Sequence, residues 1–115
     1  MAKRSGKRER RAAPSIDYTD AEGNVLRLRQ ELSGGTIRAI GAAPASAAAS
    51  SEDAWRRRIE MLFERLAVSW EISGVPLADQ AMLLGRYRMA DAATQRWVQR
   101  TLADHVERHL PELEA

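Results

Sequence analysis

The sequence predicts a small, mostly α fold: a three-helix domain preceded by a β-hairpin and a disordered basic N-terminal arm. Three observations carry that prediction. Residues 52–73 hold the longest uninterrupted helical period in the chain, two further helical patterns follow it, and the first 13 residues contain nothing apolar enough to pack. With 115 residues there is room for one domain. No apolar run approaches the ~18 residues of a membrane span. The basic N-terminus has no apolar stretch behind it to make a secretory signal, so a cytoplasmic address is expected. Cysteine is absent, which excludes disulfides, thiolate metal sites and cysteine nucleophiles.

The net charge of +2 conceals an asymmetry. Lys3, Arg4, Lys7, Arg8, Arg10 and Arg11 stand against Glu9 alone, so residues 1–13 carry +5 and the remainder −3. Residues 1–14 therefore read as a disordered arm whose cations could displace counterions from a nucleic acid. No aromatic side chain accompanies them to stack on bases.

Residues 15–32 read as a hairpin. Ile16 and Tyr18 alternate with polar neighbours, as do Leu26 and Leu28. Asp20 through Gly23 fits a type I turn closed by a left-handed glycine. Asp20, Glu22 and Gly23 also fit part of a calcium loop, but Tyr18 replaces its first aspartate and Arg29 its last glutamate, so a turn is the better account. Two strands cannot stand alone in water, so the leucine face must lie on helices or on another sheet edge.

Residues 33–51 read as a short helix capped by Ser33 and an Ala/Ser-rich linker. Residues 52–115 form the predicted three-helix domain. In the first helix, Trp55, Ile59, Leu62, Phe63, Leu66 and Trp70 fall in an arc of about 100°, the width of a core stripe. Ser50 is placed to cap it, and Gly74 and Pro76 to end it. A second helix is predicted from about Leu77 to Met89, with Leu77, Leu83, Leu84 and Tyr87 inward. Asp91 then caps a third, Ala92–His109, on which Val98, Leu102, Val106 and Leu110 recur every fourth residue.

Chemistry finds little to hold on to. His105 and His109 lie four apart, but Glu107 points away from both and no third ligand is near in sequence, so no metal site is expected. Glu60 and Glu64 read as a solvated charged face, with Glu60 paired to Arg56, rather than as an acid–base couple. A helix-turn-helix over Ala81 and Gly85 would put Asp91 where a buried apolar residue is required. The expectation is a non-enzymatic protein with no cofactor and no membrane association.

What remains is the back of the 52–73 helix. Met61, Val68 and Ile72 lie about 180° from the core stripe and are bordered by Arg57, Arg58 and Arg65. A second apolar stripe on a surface helix needs a cover, which the hairpin or the Ala/Ser-rich linker could supply as well as a partner chain or a second copy. The sequence is therefore read as a protein-interaction protein, of adaptor, regulatory or assembly-chaperone type. It would bind a protein partner or form a homodimer through those six residues. The alternative is a small nucleic-acid-binding protein that uses the basic arm.

Overall fold

The computed structural model describes residues 14–41 and 51–113. The arm cations Lys3, Arg4, Lys7, Arg8, Arg10 and Arg11, the Ala/Ser-rich residues 42–50 and the expected cap Ser50 lie outside that range.

Strand alternation and a tight aspartate–glycine turn build the first hairpin, β1 (Ser15–Thr19) and β2 (Val25–Arg29). Asp20 Oδ1 accepts from the backbone N–H groups of Glu22 and Asn24 at 2.8 and 3.0 Å, and Oδ2 from Asn24 Nδ2 at 3.1 Å. Gly23 takes the left-handed conformation at φ 85°. Both carboxylate oxygens are thus used in holding the turn. Ile16 pairs with Leu28 and Tyr18 with Leu26, while Arg27 donates twice to Asp17 on the opposite face at 2.7 and 3.1 Å.

α1 (Gly34–Gly41) follows, capped by Ser33 as the sequence predicts: Thr36 N–H donates to Ser33 Oγ at 3.1 Å. α2 (Ser51–Leu66) is shorter than the predicted 52–73 helix. At Leu66 the chain passes directly into β3 (Ala67–Ile72), turns through Ser73 and Gly74, and returns as β4 (Val75–Leu77). Ser73 and Gly74 have φ values of 53° and 79°, the left-handed pair of a two-residue hairpin turn. Residues 67–72 satisfy two periods at once. Trp70 lies four residues after Leu66, as a helix needs, but Val68, Trp70 and Ile72 also alternate, as a strand needs. Pairing with β2 decides between them.

The domain is therefore not a three-helix unit with a separate hairpin in front of it. β2 and β3 pair antiparallel, and the four strands make one sheet in the order β1-β2-β3-β4. Leu26 faces Trp70 and Leu28 faces Ala67, with Val68 as the extra residue of a bulge. The bulge lets Ala67 and Trp70, three residues apart, turn toward the same face.

Helices cover that face. α3 (Gln80–Met89) begins at an Asp79 cap rather than at Leu77, and α4 (Ala92–His109) at the predicted Asp91 cap. Asp79 Oδ1 accepts from Met82 N–H at 3.1 Å and Asp91 Oδ1 from Thr94 N–H at 2.7 Å. A 3-10 turn over Pro111–Leu113 closes the described chain. Leu26, Leu28 and Trp70 from the sheet meet Phe63 and Leu66 of α2, Leu83 and Tyr87 of α3, and Val98 and Leu102 of α4. Phe63 stacks on Tyr87 with centroids 5.3 Å apart and meets Trp70 edge-on at 5.9 Å. Trp55 is the exception to the predicted core stripe, at 49% exposed. It sits in the first turn of α2 and borders a surface hollow with Arg96 and Ala103 of α4 instead. No helix among the described residues is long and apolar enough to cross a membrane.

Candidate functional site

Because α2 ends at Leu66, the six residues expected to form one interaction stripe are not on one helix face. Met61 remains on α2 and packs half-buried against the core. Val68 is the bulge residue of β3, and Ile72 ends that strand. Arg58 donates to the backbone carbonyl of Leu113 and so ties α2 to the closing turn. Arg57 and Arg65 are exposed. Of the six, Ile72 alone lines a groove beside the second hairpin.

That groove, of about 580 Å³, lies between the second hairpin and α3. Trp70, Ile72 and Leu77 form its sheet side, and Met82, Arg86 and Met89 its helix side. Its ends are the first hairpin turn, at Glu22 and Asn24, and the start of α4, at Asp91 and Thr94. Asn24 sets this geometry by joining the two hairpin turns: its Oδ1 accepts from Ser73 N–H at 3.0 Å. On the helix side, Gly85 carries no side chain, and a Cβ built there meets nothing within 4 Å.

Two features of the groove are unusual for ordinary surface. Met82 and Met89, seven residues apart on α3, are 58% and 89% exposed, beside a concave apolar wall. Trp70 is buried, yet its indole Nε1 has no acceptor; it is the one such buried side-chain atom among the described residues. Buried donors normally have partners, and stranding one costs about 1–3 kcal/mol. Apolar projections beside a recess are what a binding surface offers, whereas the indole N–H is sealed beneath it.

The histidines occupy a different place and do different work. His105 is wholly buried, with Nε2 2.7 Å from the Arg29 carbonyl and Nδ1 2.7 Å from the Tyr18 hydroxyl. A carbonyl can only accept, so Nε2 carries the proton and Nδ1 accepts from Tyr18. Burial pushes this imidazole below the usual histidine value, the Arg29 carbonyl opposing and His109 adding to the fall. Burial likewise raises the Tyr18 phenol. Both nitrogens are engaged in joining α4 to the first hairpin. Glu60 does not pair with Arg56: it accepts from Arg88 of α3 at 2.7 Å, whereas Arg56 pairs with Glu52 and Asp53 in its own first turns.

No family model, no curated protein and no solved structure matches the chain.

Proposed function

We propose that this is a small, non-enzymatic protein-interaction protein of adaptor, regulatory or assembly-chaperone type, acting in the cytoplasm. Its docking surface is the groove between the second hairpin and α3. Ile72 belongs to that surface; the remainder of it is Trp70, Leu77, Met82, Arg86 and Met89. The observation that supports the reading is the pairing of two projecting methionines with a recess walled by Ile72 and Leu77. Methionine suits such a surface because its unbranched, polarizable side chain adapts to a partner's shape.

A photo-crosslinking residue placed at position 89 of the full chain tests this. Adducts with a protein, whether a different chain or a second copy, are expected in cells from position 89. They are not expected from position 17, on the outer face of the sheet. Absence of any adduct from position 89 would defeat the proposal.

A second reading rests on the +5 charge of residues 1–13. In it, the arm binds nucleic acid through Lys3, Arg4, Lys7, Arg8, Arg10 and Arg11 by counterion release. It requires salt-dependent retention on DNA or RNA that disappears when residues 1–13 are deleted.

A further inference from the structure

We infer that the occupant of the groove is a second copy of this chain, in a two-fold dimer that sets Glu22 of each protomer against the partner's Arg86. The inference rests on the groove being the docking surface and names what fills it.

Charge is the first argument. Glu22 stands at the hairpin-turn end of the groove and Arg86 on its α3 side, both exposed, and neither forms an ion pair among the described residues. The neighbouring Asn24 and Asp91 side chains are already engaged. Asn24 is bonded to Asp20 and Ser73, and the Asp91 carboxylate caps α4. The groove thus presents one unpaired carboxylate at its hairpin-turn end and one unpaired guanidinium on its helix side. A two-fold axis running between them exchanges the walls and brings each charge to its opposite on the partner. A partner of single-sign charge could satisfy only one of the two.

Shape is the second argument. An isologous contact needs a projection and a recess on the same face, because each surface must fit a copy of itself. Met89, 89% exposed, projects beside the recess floored by Trp70. Exchange by the two-fold sets Met89 of each protomer into the partner's recess beside Ile72 and Leu77, where an unbranched thioether packs well against apolar side chains.

The neighbouring route to self-association is disfavoured. β4 is a three-residue edge strand, and its centre is Pro76, opposite Glu71. In a hairpin closed by two residues, that middle position points its backbone outward. Proline has no N–H to offer there, so this edge is a poor template for a strand from another chain, which favours association through the groove.

The test is a charge exchange on the full chain, read by sedimentation equilibrium. The wild type is expected to sediment as a dimer, and Glu22→Arg and Arg86→Glu each to weaken association by at least about tenfold, because like charges then oppose across the seam. Both positions are exposed, so circular dichroism should show both variants folded. The double variant, which restores opposite charges, should recover the dimer. A monomeric wild type overturns the inference, as does a dimer that both single variants leave intact, or a double variant as weak as the singles. A monomer that still crosslinks to a different protein from position 89 overturns the dimer and leaves the docking role standing. No adduct at all removes both.

Discussion

Replacing Tyr18 with phenylalanine tests whether the contact between the first hairpin and α4 stabilises the fold. The substitution removes one hydroxyl and otherwise keeps the ring, so the apolar packing of Tyr18 against the core persists. What is lost is the donor to His105 Nδ1, 2.7 Å away. A neutral hydrogen bond contributes about 0.5–1.5 kcal/mol net, and stranding a buried acceptor costs about 1–3 kcal/mol. His105 is 0% exposed, which argues for the upper range. Tyr18 is only half-buried, so a water entering near the lost hydroxyl offsets part of the cost. The expected loss is about 1–2 kcal/mol, read as a lower urea midpoint with an unchanged slope. For a domain near this size, each kcal/mol corresponds to a fall in melting temperature of roughly 4–8 °C. His105→Leu should cost more, since it strands both the Tyr18 hydroxyl and the Arg29 carbonyl. The double variant should then fall short of the summed losses by about 0.5–3 kcal/mol, the range for directly coupled pairs. If Tyr18→Phe stays within about 0.5 kcal/mol of wild type, as neutral surface changes do, the contact is only a coincidence of packing.

Three further predictions follow from the same structure. Burial lowers the His105 pKa below the ordinary 6.5, so the unfolded chain takes up this proton first on acidification. The stability due to the neutral imidazole is full above about pH 6.5 and declines as pH falls toward the lowered native value. Urea midpoints across that window should show a slope in the wild type that His105→Gln flattens, and equal slopes would refute the assignment. Gly85→Ala should stabilise the chain by about 0.5–1 kcal/mol, because glycine is costly within a helix and the added Cβ meets open space; thermal unfolding checks it, and a loss of stability counts against the described groove wall. Trp70→Ala should cost about 3–5 kcal/mol, the range for large aromatic truncation, and a near-neutral value would contradict its place between Leu26 and Phe63.

Local chemistry made part of the fold legible. The Asp20–Gly23 turn, the Ser33 and Asp91 caps and the leucine–valine stripe of α4 each carry their signal within a few residues, and each is found where the sequence put it. Residues 67–77 do not work that way. Val68, Trp70 and Ile72 fit a strand and a helix equally, and Gly74 with Pro76 reads as a helix stop as readily as a hairpin turn. What decides is the pairing with β2, some 40 residues away in sequence. Two local signs favoured the strand: β-branched and aromatic residues in alternation, and a Ser-Gly pair between two such runs. His105 carried a sign as well. It follows Leu102 by three residues and Val98 by seven, so it lies on the buried stripe of α4 rather than at a frayed end.

The groove was harder to see because no single element contains it. Periodicity assigns each side chain to the inside or outside of its own helix or strand, and says nothing about which outside positions the other elements leave uncovered. Ile72 shows the difference. The sequence marked it as an apolar residue needing a cover, on the assumption of a helix face shared with Met61 and Val68. It keeps an open side for another reason: the Asn24–Ser73 bond fixes the two hairpin turns together, and α3 stands off across the gap beside Gly85. Met82 and Met89 recur seven residues apart, but beside the inward Leu83 and Tyr87 of the same helix that spacing alone marks only outer positions. Only the recess opposite them gives their exposure a use, and it takes three segments distant in sequence to form that recess. The proposed docking surface depends on tertiary assembly. A variant that frees the hairpin turns, such as Asn24→Ala, should therefore weaken association while leaving Met82, Met89 and Arg86 unchanged.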